Sequence, residues 1–136
     1  MQSTRSQKGF IIIPGLEGLA MVAGVLASVV LLTLNSARLK SRDAKRLADV
    51  RQTASGLKLY YNDFESYPNK LNILEPTYFG VIPTAPEPAD GTCTPEQNQY
   101  TYIKLSKDKY TLTFCLGQTT AGYKSGVRTL SETGIK

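Results

Sequence analysis

Residues 10–34 read FIIIPGLEGLAMVAGVLASVVLLTL and carry one formal charge, Glu17. Between 18 and 34 nothing is more polar than Ser28 and Thr33. At about 1.5 Å per residue, a helix over that shorter stretch spans roughly 26 Å, and a few residues more reach the roughly 30 Å of a bilayer core. The segment is therefore long enough and apolar enough to cross a membrane. Two plainer accounts compete: a buried core helix, and the apolar region of a cleaved secretory signal. A core helix needs apolar partners on every side, which a chain with few other long apolar runs does not readily supply. A secretory apolar region is shorter, about 7 to 15 residues, and ends at a small-residue cleavage site.

Outward from this stretch the chain changes character in both directions. Residues 1–9, MQSTRSQKG, are polar, with Arg5 and Lys8 as their only charges. A short basic leader of this kind stays on the cytoplasmic side. On the other flank Arg38, Lys40, Arg42, Lys45, Arg46 and Arg51 outnumber the leader's cations, so charge counting alone favours the opposite orientation. Against it stand Cys93 and Cys115, which suit an oxidising exterior. The 136-residue chain holds 16 Lys plus Arg against 11 Asp plus Glu, but the excess is local. Residues 1–61 carry 9 basic and 3 acidic side chains, and residues 62–136 carry 7 and 8.

Beyond Leu34 the apolar residues thin to a stripe. Leu47, Val50, Ala54, Leu57 and Tyr61 recur every three or four positions, the mark of an amphipathic helix. No proline intervenes between Gly15 and Tyr67, so one helix is expected from about residue 16 to about 61, roughly 69 Å long. Residues 62–98 contain Pro68, Pro76, Pro83, Pro86, Pro88 and Pro95 and read as an extended loop, with a short turn near 71–75. Then Tyr100, Tyr102, Tyr110, Leu112, Phe114 and Leu116 alternate with threonines and Cys115, the period of two of β-strands. Ser106-Lys107-Asp108 divides 99–105 from 109–116 into a hairpin, and a third strand is expected near 126–130. The fold class that follows is α+β: a long N-terminal helix with an apolar half (10–34) and an amphipathic half (35–61), packed on a small antiparallel sheet of about three strands within a globular domain, 62–136. Cys93 and Cys115 either close a disulfide, worth roughly 3 kcal/mol for a loop of about 20 residues, or stay as two free thiols.

The residues now quoted resemble a known family, the type IV pilins and the related pseudopilins of type II secretion. The resemblance rests on the leader ending in Lys8-Gly9, on Phe10 and the apolar helix, on the continuation LNSARLKSRDAKRLADVRQ (34–52), and on LYYND (59–63) with SYP (66–68). The run YTLTFCL (110–116) is similar to small bacterial pilins but less diagnostic. The resemblance implies a mechanism. A membrane-embedded prepilin peptidase would cut after Gly9 and methylate Phe10. The apolar half-helix would then leave the inner-membrane lipid for the centre of a helical homo-oligomeric filament on the cell surface, driven by an assembly platform and its ATPase. Pilins usually carry Glu at the fifth position after the cut, and here that position is Pro14. Pro14-Gly15 is expected to interrupt the helix near its start. Glu17, three residues on and on roughly the same helical face, is the candidate to pair with a neighbour's amino terminus; the alternative is that it snorkels or is protonated.

Other chemistry is sparse. With no histidine in the chain, a histidine acid/base relay and a histidine-ligated metal are both excluded. No phosphate loop, nucleophile set or clustered carboxylates can be found, so neither a cofactor nor catalysis is expected. The basic run 38–51 suits lipid head groups or DNA phosphates, but it is read first as solvated surface paired to acidic residues of other copies. Three functions fit: a structural subunit of a pilus; a pseudopilin of a secretion or DNA-uptake system; and a monomeric, single-pass, membrane-anchored binding domain.

Overall fold

The computed structural model describes the backbone from Ser3 onward and the side chains from Ala23 onward. The chain divides into two units, 1–37 and 38–136. One helix, α1, spans Ser3–Phe64 and contributes to both. It thus begins before the expected residue 16, and Pro14-Gly15 does not interrupt it. A proline removes one hydrogen bond of the helical ladder, and the long apolar run around it continues to favour a helix.

In the unit 38–136 the remainder of α1 lies on an antiparallel sheet of four strands in the order β1 (Thr101–Ser106), β2 (Lys109–Leu116), β3 (Gly126–Ser131), β4 (Gly134–Ile135). The fourth strand exceeds the expected three. At two residues it is too short to show a periodicity. The β1–β2 hairpin has its turn at Lys107-Asp108, and its register shifts between Lys104 and Ser106. Pairing of Leu112 with Leu130 and of Phe114 with Arg128 sets β3 against β2.

Alternation puts Tyr110, Leu112, Phe114 and Leu116 on the inner face, where all four are buried. The helical stripe meets them: Leu47, Val50 and Leu57 are buried in the same cluster, with Ala54 partly covered beside it. Leu74 and Phe79, from the proline-rich segment, close the cluster. Leu74 ends a 3₁₀ turn over Leu71–Leu74, at the place where a short turn is expected. Phe79 lies so close to the helix that a Cβ on Gly56 would sit 2.9 Å from its ring, which explains a glycine in a helix interior.

Local ties hold the start of the loop to the hairpin. The Tyr67 amide donates to the Lys107 carbonyl, the Tyr102 hydroxyl to the Pro68 carbonyl, and the Lys104 ammonium to Ser66. Farther along, Cys93 and Cys115 form a disulfide that joins the loop to the end of β2. Replacing both cysteines by alanine is expected to lower the unfolding free energy by about 3 kcal/mol in denaturant titrations; an unchanged transition would show that the loop is held without it.

Candidate functional site, an exposed apolar helix surface

The surface most in need of a partner lies on α1 in the first unit. Val25, Leu26, Val29, Val30, Leu31, Leu32 and Leu34 are between 45% and 72% exposed, and none of the most apolar window is buried. Leu, Val and Ala follow one another without a polar face, so every direction around the axis presents hydrocarbon. The two hydroxyls here turn inward: Ser28 donates to the Gly24 carbonyl at 2.9 Å and Thr33 to the Val29 carbonyl at 2.9 Å. With those donors satisfied inside the helix, the outer surface needs nothing that water supplies and lipid does not. This long apolar helix is a candidate membrane anchor or signal sequence.

Side chains 38–51 belong to the second unit and behave differently from their sequence expectation. Instead of lying free for other copies, three of the cations are paired within the chain. Arg46 is fully buried. Its guanidinium donates to Asp43 and to Asp90 at 2.8 Å each, to the Asn98 side chain at 3.1 Å, and to the Pro86 and Pro88 carbonyls at 3.0 Å each. Every direction of the guanidinium fork meets an oxygen, the condition under which a buried charge is tolerated. Arg42 reaches the same Asp90 through two bonds of 2.7 and 2.6 Å. Lys45 pairs with Asp49 one turn on, and Asp49 also accepts from the Tyr100 hydroxyl at 2.8 Å.

Asp43 extends the network to the sheet. It accepts the Gly117 and Gln118 amides at 2.9 and 3.0 Å, and the Thr120 hydroxyl at 3.3 Å. The loop bearing Asp90 must approach the end of β2 closely for this. A Cβ on Gly117 would lie 2.4 Å from the Asp90 Cβ, and one on Gly91 would lie 2.0 Å from the Gly117 carbonyl oxygen. Glycine at both positions permits the contact.

The bonds from Arg42, opposed by desolvation and reinforced by those from Arg46, hold the Asp90 carboxyl below its ordinary value. The same pairing raises Arg42 above its own. Exposed cations remain at Arg38, Lys40, Arg51 and Lys58.

Among the sequence-selected residues, Cys93 and Cys115 are joined. Gly9, Phe10, Pro14, Gly15 and Glu17 lie outside the residues whose side chains are described. The Arg46 network is what sequence reasoning missed; the only trace was the spacing of Asp43 and Arg46 on the face that carries Leu47 and Val50. Among the described residues no group of three or more Cys, Asp or Glu is arranged to hold a metal ion. Comparison with protein-family models, curated proteins and solved structures gives no match.

Arg46→Ala would leave Asp43 and Asp90 buried without their common cation. We expect it to destabilise the fold by about 3 to 5 kcal/mol, whereas Arg51→Ala, on the exposed face, changes stability by no more than about 0.5 kcal/mol. Because the folded-state value of Asp90 is depressed, its stabilisation is fully present above the ordinary carboxylate pKa of about 3.9 and is lost as pH falls through the folded value. Urea titrations below about pH 4 should therefore show stability dropping in the native chain and dropping less in Asp90→Asn. Equal acid slopes would remove Asp90 from the account.

Proposed function

We propose that the chain is a structural subunit of a type IV pilus filament, cut after Gly9, methylated at Phe10 and polymerised through its apolar helix. The observation that carries this reading is the helical surface from Val25 to Leu34, apolar all round and exposed, on a helix that also covers a small disulfide-bonded domain. A helix of that kind exchanges lipid for like helices with little change in solvation and gains van der Waals packing in the exchange. The leader, the residue after it and the continuation 34–52 resemble pilin sequence, which supports the same reading.

Under it the precursor lies in the inner membrane with residues 1–9 in the cytoplasm. The prepilin peptidase acts there, and the platform protein and its ATPase then draw the helix into an extracellular fibre. Glu17, three residues beyond Pro14 in the sequence, would pair with a neighbour's new amino terminus in place of the acid that pilins carry at the position of Pro14. The internal pairing of Arg42 and Arg46 supports protein assembly over DNA binding, since those two cations have no charge to spare for phosphates.

Mass spectrometry of native material should find an amino terminus at methylated Phe10. An intact Met1 would overturn the proposal and favour a single-pass anchored domain. Glu17→Ala should reduce filament yield at least several-fold with the precursor still in the membrane; undiminished yield would remove Glu17 from assembly.

A further inference from the structure

A cleft of about 400 Å³ opens within the unit 38–136, between α1 and the β3–β4 end of the sheet. It falls within the roughly 300 to 1,000 Å³ of small-molecule sites. Three tyrosines line it. The Tyr61 and Tyr67 rings lie 4.8 Å apart and tilted, and Tyr67 meets the edge of Tyr110 at 4.6 Å. Tyr110 is only 3% exposed, and its hydroxyl, like those of Tyr61 and Tyr67, makes no hydrogen bond among the described residues. Lys58, Asn62 and Glu132 also line it, and their side chains make no hydrogen bond or ion pair among the described residues. Elsewhere in the unit the hydroxyls of Tyr78, Tyr100 and Tyr102 have partners, while those of Tyr60 and Tyr123 make no hydrogen bond among the described residues.

Aromatic rings backing a set of unused donors and acceptors suit a ligand with an apolar face and a polar rim. The single cation and single anion decide its charge. An anionic ligand would face Glu132 and a cationic one Lys58, so a neutral molecule is favoured. We propose that this cleft binds a saccharide, one or two pyranose rings, with ring C–H groups against the tyrosines and hydroxyls bonded to Asn62, Glu132, Lys58 and the Tyr110 hydroxyl. Burial raises the Tyr67 and Tyr110 phenols above their ordinary value, so both stay protonated donors at neutral pH. The site is independent of whether the chain forms filaments.

Saturation-transfer NMR of the full chain tests this directly. The chain is held in a polyoxyethylene detergent, which contains no sugar, and glucose, galactose, N-acetylglucosamine, N-acetylgalactosamine and their common disaccharides serve as probes. At least one should bind with a dissociation constant of about 10 mM or tighter. Tyr110→Phe, which keeps the ring and the fold, should weaken that binding about five- to tenfold, and Glu132→Gln by a similar factor, with unchanged melting temperatures. Absence of binding across the panel overturns the proposal. So does sugar binding that neither substitution alters.

Discussion

Hydrocarbon on every side of a helix is the constraint to which the rest of this molecule answers. Burial of apolar surface is the main favourable term in folding, and a dozen residues of α1 that forgo it inside their own chain must recover it elsewhere. Ser28 and Thr33 already spend their hydroxyls on the helix backbone, so the segment offers no polar handle that would hold it in water. Lipid and other apolar helices are the two environments that suit such a surface. Movement from one to the other needs no change in its secondary structure.

The second unit solves the opposite problem. Its core is modest, a helical stripe of Leu47, Val50 and Leu57 against one sheet face, and a long loop with little regular structure must be kept on it. Two devices do so at neighbouring points. The disulfide fixes Cys93 to Cys115 at the end of β2, and Arg46 gathers Asp90, Asn98 and two loop carbonyls onto α1. Asp43 ties that cluster to the residues just after β2. Helix, loop and sheet thus share one buried polar centre as well as one apolar core. A pairing so complete fixes geometry more than it adds net stability, because desolvation offsets much of the Coulombic gain.

Periodicity made the apolar skeleton legible. Spacings of three and four gave Leu47, Val50 and Leu57 their inward face, and alternation gave the same to Leu112, Phe114 and Leu116. Both are local properties of the chain. What escaped were contacts whose cause lies far away in sequence. Arg46 reads as a solvated cation because its acceptors Asp90 and Asn98 are 44 and 52 residues distant. The need for glycine at 56, 91 and 117 is likewise set from a distance, by Phe79 and by the contact of the Asp90 loop with the residue after β2. The cleft escaped for the same reason: Tyr61, Tyr67 and Tyr110 come from the helix, the loop and β2, and only the tertiary arrangement brings them to one place.

Sedimentation of the purified full-length chain as detergent is withdrawn tests the central claim most directly. The apolar helix should drive all of the protein into added phospholipid vesicles, or in their absence into large assemblies in which helix packs on helix. A stable, monodisperse single chain in plain buffer, with residues 10–34 intact, would contradict it.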